Sequence, residues 1–181
     1  MQRPAGASLP AFPISEEDMR MKTIVIYYSM GGNVKFAAHE IARLLGADTL
    51  EIAPSKAYPS KGFRKFIWGG KSAVMGEEPK LLPYEFNADA YDRVVLAFPV
   101  WASNFAPPIR SFVKQNESSL ASKTIAAVAC CAGGDADKAF AKLRDLLDIS
   151  AFEATAVFVD PKDKPSDEKV RMMAEFAEVL K

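Results

Sequence analysis

The feature that most constrains the fold is an alternation, repeated five times, of short apolar runs with segments whose apolar residues recur at helical spacing. Three runs, "KTIVIYYS", "DRVVLAFPVW" and "KTIAAVACC", are apolar almost throughout, which is typical of parallel strands covered on both faces. The run "DTLEIA" alternates apolar and polar residues, as an edge strand does. The alternation therefore predicts one α/β domain in three layers, with an open, parallel, five-stranded sheet between helices.

Length and charge narrow the function classes. The chain has 181 residues, enough for one domain with a sizeable core. Lys and Arg together number 23, as do Asp and Glu, so the neutral chain is not expected to bind nucleic acid or an anionic membrane. No apolar run has the length of a membrane span and no signal peptide is evident, so we expect a cytoplasmic protein. The adjacent Cys130 and Cys131 lack zinc spacing and are expected to be reduced, so no metal site is predicted.

Two segments interrupt the alternation. Residues 1–20 contain three prolines and no hydrophobic period, so they are predicted to form an N-terminal arm ahead of a domain at residues 21–181. Residues 54–91 are longer than a usual loop; they predict a helix near 60–75 and then an extended stretch, "EEPKLLPYEF". Basic side chains would share the outer side of that helix: Lys61, Arg64, Lys65 and Lys71. The favoured interpretation is that these side chains form a solvated helix face, and the alternative is that they bind a phosphate group of NADPH.

The segment "YYSMGGNV", residues 27–34, lies where the first strand turns into the first helix. In an open parallel sheet, ligands bind beyond the carboxyl ends of the strands, where the strand order reverses. Gly31 and Gly32 would let backbone N–H groups converge there, beside the positive end of a helix dipole, which suits a phosphate group. The segment matches neither the nucleoside triphosphatase loop nor the dinucleotide fingerprint. A plain tight turn with both glycines at positive φ explains it equally well.

Two further loops follow neighbouring strands at the same edge of the sheet. "FPVWASNFAPPIR" places Trp101 just past a strand end, where the indole would either pack or stack on a flat ring. "CCAGGDAD" is another turn of small residues. Because three such loops converge on one place, a ligand site is favoured over three unrelated turns.

In this order and spacing, the segments make the chain resemble the flavodoxins and flavodoxin-like FMN proteins over residues 22–180. "YYSMGGNV" is similar to the family's phosphate loop, T/S-x-T-G-N-T, and "AFPVWASNFAPPIRSFV" to its G-x-P-I-W…A-P-P segment. "EEPKLL" with "YDRVVLAFPVW" resembles the run P-x-L…Y-D-x-I-x-L-G-x-P-I-W. The resemblance implies a flavodoxin-like fold, strand order 2-1-3-4-5, and FMN at the point where that order reverses.

The resemblance also implies which residues bind FMN, in three groups. The phosphate would lie on the first loop: Ser29, Met30, Gly31, Gly32, Asn33 and Val34. The flavin ring would lie on the second loop, with Trp101 stacked on one face: Pro99, Val100, Trp101, Ala102, Ser103, Asn104 and Phe105. The pyrimidine side would border the third loop: Cys131, Ala132, Gly133, Gly134 and Asp135. Trp68, Tyr84 or the N-terminal arm would be left to cover the other ring face.

The chain departs from the family pattern at Gly31 and Val34, where threonines are usual. Two hydroxyl hydrogen bonds to the phosphate are then missing, and each is worth about 1–3 kcal/mol. The remaining donors would be Ser29, Asn33 and backbone N–H groups. Weaker FMN binding than is typical of the family is therefore predicted.

The role of the flavin is left between alternatives. No Ser/His/Asp or Cys/His triad is evident, so no catalytic residue is predicted and the flavin would carry the chemistry. Carriers of this family are typically strongly acidic and place a glycine beside flavin N5, where a peptide flip stabilises the one-electron reduced form. This chain is neutral and has Ala102, Ser103 and Asn104 there, so we expect two-electron chemistry, as in an FMN-dependent NAD(P)H or quinone reductase.

Two other functions stay open at this stage. One is a one-electron carrier that serves a redox partner protein, and the other is a non-redox binding module on the same fold. The electron acceptor would be a partner protein or a small molecule such as a quinone. A homodimer is compatible with the sequence.

Overall fold

The computed structural model of the protein describes residues 21–58, 75–133 and 136–181. The predicted N-terminal arm lies outside the described residues, and so does the helix predicted near 60–75 with its basic set. The division into an arm and one domain therefore stays a prediction.

In the described part of the chain, six strands form the sheet: β1 (Thr23–Tyr27), β2 (Asp48–Glu51), β3 (Arg93–Trp101), β4 (Asn104–Phe105), β5 (Thr124–Cys131) and β6 (Thr155–Val159). Five of them pair in parallel, in the order β2-β1-β3-β5-β6. The predicted order 2-1-3-4-5 is thereby confirmed, because β5 and β6 are the fourth and fifth parallel strands. The short β4, which the sequence did not predict, pairs antiparallel with the end of β3.

The described residues form the helices α1 (Asn33–Leu45), α2 (Pro107–Gln115), α3 (Glu117–Leu120), α4 (Asp137–Leu147) and α5 (Asp167–Val179), with a 3₁₀ turn at Ala88–Ala90. Local signals fix their ends. The first helix, α1, stops at Gly46, which takes φ 64° and donates its N–H to the carbonyl of Ala42. At the start of α5, the hydroxyl of Ser166 accepts a hydrogen bond from the N–H of Lys169, and two acidic residues follow in the first turn. Across the three described ranges, no helix has the length and apolar character of a membrane span.

Two hydrophobic cores lie on opposite faces of the sheet. One face is covered by α1 and α5, with Ile41 and Met173 fully buried. The other is covered by α2 and α4, with Ile109, Phe112 and Leu143 fully buried. Since each such side chain contributes about 1.5–3 kcal/mol when buried, strands flanked on both faces must be apolar throughout. That requirement explains the continuous runs in the sequence.

The chain leaves β1 and β3 in opposite directions along the sheet. From β1 it passes through α1 to β2, and from β3 it passes through α2 to β5. The connecting helices therefore separate beyond the carboxyl ends of β1 and β3, and this separation leaves a crevice where the strand order reverses. The predicted extended stretch, residues 77–86, has a single antiparallel bridge, between Leu81 and Pro54, that ties it to the chain just after β2.

Candidate functional site

A cleft of about 380 Å³ opens at the carboxyl ends of β1, β3, β5 and β6. Its lining comes from four chain segments that follow or end those strands: Ser29, Met30, Gly31, Asn33, Val34, Pro99, Val100, Trp101, Ala102, Cys130, Cys131, Ala132 and Asp160. The structure thus brings together parts of all three predicted loops. The walls are mostly apolar with a few polar groups, as in sites for small cofactors. Within the described residues, no group of three or more His, Cys, Asp or Glu side chains could hold a metal ion.

The turn between β1 and α1 presents backbone N–H groups to one end of the cleft. Ser29 Oγ accepts a hydrogen bond from the N–H of Gly32, 3.1 Å away, and closes the turn. Gly32 is the N-cap residue of α1 at φ 91°, no side chain caps the helix, and no acidic residue lies in its first turn. The N–H groups of that first turn lack partners within the helix, so this end of α1 can accept an anion.

The two glycines of this turn have different roles. Gly32 needs the left-handed conformation, whereas Gly31 does not, and apart from its chain neighbours no described residue has an atom within 4 Å of the position that a Cβ at Gly31 would take. The alternative explanation, two glycines both required for positive φ, is therefore wrong for Gly31. Val34 lines the cleft but is only 2% exposed and packs in the core beneath α1.

Asn33 directs its side chain to the loop that follows β6. Its Oδ1 accepts hydrogen bonds from the backbone N–H groups of Lys162 (2.8 Å) and Asp163 (3.2 Å), and its Nδ2 donates to Asp163 Oδ2 (2.8 Å). The hydrogen bond from Lys162, and after it the one from Asn33, hold the pKa of Asp163 below its usual range. The Asn33 amide thus binds the loop after β6 through its oxygen and one N–H, while the sequence suggested it as a phosphate donor.

The opposite wall of the cleft is the hairpin between β3 and β4. Val100 pairs with Phe105 and Trp101 with Asn104, so Ala102 and the residue after it form a two-residue loop. Both loop residues have positive φ, 49° and 55°, which is the pattern of a type I′ turn. Neither is glycine, and a non-glycine residue held in this region costs about 1–3 kcal/mol.

The indole of Trp101 is held in place by two tyrosine rings. Tyr28 meets it edge-on at 5.8 Å between centroids and 88° between planes, and Tyr58 does so at 5.2 Å and 81°. Such edge-to-face contacts fix the orientation of a ring at the mouth of the cleft. Burial, followed by the neighbouring Tyr58, raises the pKa of Tyr28, so that its hydroxyl stays neutral.

Several predicted site residues lie outside the lining of the cleft. Asn104 and Phe105 are 4% and 1% exposed: Asn104 Oδ1 accepts from the N–H of Phe105, whose ring lies 4.7 Å from the Arg110 guanidinium carbon. Ser103 is exposed in the hairpin loop, where its carbonyl accepts a hydrogen bond from Lys142 Nζ at 3.3 Å. Two other predicted site residues also lie outside the lining of the cleft: Gly32, which is in the turn between β1 and α1, and Gly133.

Other predicted residues lie away from the cleft or are outside the described residues. Tyr84, a candidate for covering the flavin, donates its hydroxyl to Gln115 Oε1 at 2.9 Å and packs on Phe112, away from the cleft. Trp68, Gly134 and Asp135 lie outside the described residues.

Two residues that line the cleft were not predicted from the sequence: Cys130 and Asp160. Burial, and after it Cys131 and Asp160, raises the pKa of the Cys130 thiol to about 12. Asp160 lines the cleft at φ 43°, and its carboxylate accepts a hydrogen bond from Lys164 Nζ at 2.8 Å. The segment "DPKDKPS" directly follows the last strand, so its place at the carboxyl edge of the sheet was a signal available in the sequence.

A three-layer parallel α/β protein with a cleft at its strand-order reversal belongs to the class of nucleotide- and cofactor-binding folds. The family model for flavodoxin matches residues 22–162, so the chain belongs to the flavodoxin family. None of the curated proteins compared with the chain matches it.

Solved structures share this fold at low sequence identity. A flavoprotein from Lactobacillus acidophilus, in complex with FMN, is 19% identical, with a TM-score of 0.67 over 79% of this chain and 95% of its own. The two-electron reduced flavodoxin of Megasphaera elsdenii is 14% identical, with a TM-score of 0.56 over 87% and 99%. Oxidised flavodoxin 1 of Bacillus cereus is 15% identical, with a TM-score of 0.52 over 88% and 96%. At these identities the likeness shows the fold.

Proposed function

We propose that this protein binds FMN in the cleft and exchanges electrons through it in pairs, as an FMN-dependent NAD(P)H or quinone reductase. The observation that carries the flavin assignment is the uncapped start of α1 at one end of an apolar cleft with Trp101 in its opposite wall. Family membership and the FMN complex of the Lactobacillus acidophilus flavoprotein support the same cofactor.

The residues of the cleft suit both ends of FMN. The N–H groups of the turn and the first turn of α1 would bind the phosphate, and Ser29 would orient that turn. Val100 and Trp101 would lie along the flavin ring and exclude water from one side of it. When bound, FMN supplies reversible transfer of one or two electrons, and the protein selects between them.

The hairpin after Trp101 favours transfer of electron pairs. Flipping the central peptide of a type I′ turn produces a type II′ turn, whose first central position is a glycine position. Ala102 holds that position here, so the flip is costly. A carrier that stabilises the one-electron reduced form by such a flip is therefore disfavoured, and the zero net charge gives little steering toward a charged protein partner.

A one-electron carrier is the second candidate function, because family membership favours it. The two functions differ in what reduces the bound flavin. A reductase takes electrons directly from a nicotinamide, whereas a carrier needs a separate reductase.

The deciding experiment is a set of anaerobic visible spectra of the FMN-loaded protein, recorded before and after addition of NADPH, then NADH, and during photoreduction. We expect bleaching by a nicotinamide without build-up of the one-electron form, and faster than the bleaching of free FMN. The Ala102→Gly variant is the matched control, since glycine at that position permits the flip and should raise the one-electron fraction during photoreduction.

Three results would contradict the proposal. Near-complete build-up of the one-electron form in the unmodified protein would indicate a carrier. Reduction only when a separate reductase is supplied would indicate the same. A colourless protein that does not take up added FMN would favour a non-redox binding module.

A further inference from the structure

The side chain of Lys162 lies across the turn between β1 and α1, which the proposed function makes the phosphate turn. A Cβ built on Gly32 would be 3.1 Å from Lys162 Cε and 3.3 Å from both Cδ and Nζ. Glycine lets the lysine lie this close to the turn, whereas a Cβ at this position would require the end of the lysine side chain to shift by a few tenths of an ångström. The ammonium group therefore lies against the N-cap residue of α1, where the proposed function places a phosphate.

The backbone of Lys162 is attached to the same helix. Its N–H donates to Asn33 Oδ1 at 2.8 Å, and Asn33 Nδ2 donates to Asp163 Oδ2 at 2.8 Å. Asn33 is the first residue of α1. These hydrogen bonds fix the loop after β6 to the start of the helix, so the backbone that carries the Lys162 side chain is held beside the turn.

The present partner of the ammonium group is exchangeable. Lys162 Nζ lies 3.1 Å from Asp163 Oδ1, and the two side chains are 47% and 54% exposed. A half-exposed ion pair of neighbouring residues contributes little to stability. A phosphate monoester, which carries a charge of about −1.5 to −2 at neutral pH, would compete well with one carboxylate for the same cation.

The described lining of the cleft has no positive charge of its own to pair with a phosphate group. Among the described residues that line it, none carries a positive charge, and Asp160 carries a negative one. Two other nearby lysines are already paired: Lys164 with Asp160 at 2.8 Å, and Lys35 with Glu51 at 2.8 Å. The turn also lacks hydroxyl groups at Gly31 and Val34.

We propose that Lys162 binds the phosphate group of the flavin nucleotide and sets the preference of the cleft for FMN over riboflavin. The inference rests on the proposed FMN site and adds to it a specific, charged contact from outside the phosphate turn. In this arrangement, Asn33 is a positioning residue that holds the loop bearing Lys162.

The test is fluorescence titration of the apoprotein with FMN and with riboflavin at low ionic strength. Lys162→Gln should weaken FMN binding by about three- to tenfold, because it removes one charged hydrogen bond at a partly exposed site, and should leave riboflavin binding unchanged. Lys162→Arg keeps the charge and should retain most of the preference. Lys123→Gln, which removes the same charge at the opposite edge of the sheet, should change neither affinity.

A second readout is salt dependence: raising the ionic strength should weaken FMN binding more in the unmodified protein than in Lys162→Gln. An equal ratio of FMN to riboflavin affinity in the unmodified protein and in Lys162→Gln would overturn the inference while leaving the FMN site intact. Equal losses in Lys162→Gln and Lys162→Arg would overturn it too, because charge would not be the cause. If the unmodified protein binds neither flavin, the proposed function itself fails, and the inference fails with it.

Discussion

Asn33 and Asp163, 130 residues apart in the chain, hydrogen-bond to each other in both directions. The Asn33 amide donates to the Asp163 carboxylate at 2.8 Å, and the Asp163 backbone N–H donates to the Asn33 carbonyl oxygen at 3.2 Å. A residue at the start of the first helix thereby fixes the loop that follows the last strand. The same amide oxygen of Asn33 accepts from the N–H of Lys162, so the contact holds the loop that bears Lys162 beside the turn between β1 and α1.

The first prediction concerns this contact. Asn33→Ala should lower the free energy of unfolding by about 1 kcal/mol, since exposed hydrogen bonds are lost, and should weaken FMN binding several-fold because Lys162 is released. Thermal unfolding and FMN titration measure the two effects. Asn87→Ala is the control, because Asn87 also bonds through its Oδ1, to the N–H of Asp89, but far from the cleft. Unchanged FMN affinity in Asn33→Ala would contradict the positioning role.

The second prediction concerns the hydroxyl groups that the turn between β1 and α1 lacks, where we propose that the phosphate of FMN binds. Gly31 has open space around the position of a Cβ and a φ outside the left-handed range, so a threonine fits there without strain. Gly31→Thr should tighten FMN binding by about three- to tenfold, through one added hydroxyl hydrogen bond. Titration with FMN checks this, and Gly31→Val, of nearly the same shape, should show no gain. Equal affinities of the threonine and valine variants would count against a phosphate at this turn.

A third prediction follows from the conformation of the hairpin loop. Ala102 at φ 49° is in a region that glycine occupies without strain. Ala102→Gly should therefore raise the free energy of unfolding by about 0.5–1 kcal/mol, the relief of strain exceeding the entropy that glycine loses on folding. Urea denaturation of the apoprotein measures the change. Ala141→Gly, within α4, should instead destabilise by about 1 kcal/mol, and a loss of stability in Ala102→Gly would show that the loop is unstrained.

The fourth prediction concerns alkaline pH. Burial raises the pKa of Cys130 to about 12, above the ordinary value of 9.0, so the thiol stabilises the fold fully below pH 9 and loses that contribution as the pH rises toward 12. Between pH 9 and 10 the free energy of unfolding should therefore fall by up to about 1.4 kcal/mol more in the unmodified apoprotein than in Cys130→Ala. Urea denaturation at pH 8, 9 and 10 measures the difference. Parallel curves for the two proteins would mean that Cys130 ionises normally in the fold.

The fifth prediction concerns an ion pair at the opposite edge of the sheet. The Arg93 side chain is 5% exposed, and Glu153 Oε2 and Oε1 accept from its Nε and Nη2 at 2.5 and 2.7 Å. Glu153→Gln leaves a buried cation without its countercharge. Because Glu153 is itself 26% exposed, we expect a loss of about 2–3 kcal/mol rather than the 3–5 of a fully buried pair.

Urea denaturation measures this loss, and FMN affinity should not change. Glu178→Gln, at the exposed pair with Lys181, is the matched control and should cost little. Equal stability of the two variants would show that Arg93 remains solvated.

The fold was predictable because its signals are local. The continuous apolar character of residues 22–29 indicates a strand that is covered on both faces. A glycine at position 32 indicates a turn, because glycine readily adopts a left-handed φ. These signals depend on neighbours in sequence, so the sequence alone determined the alternation of strands and helices. Together with the family resemblance, they also determined the strand order and the edge of the sheet at which the cleft lies.

The direction of individual side chains was decided by the tertiary structure. Asn33 stood in a phosphate motif, but a partner 130 residues away engages its amide. Lys162 carried no motif at all, yet packing of α1 beside α5 and the loop before it places its ammonium group against Gly32. Hydrogen bonds and charge contacts act over a few ångströms in space, whatever the separation in the chain, so only the folded arrangement could bring these groups together.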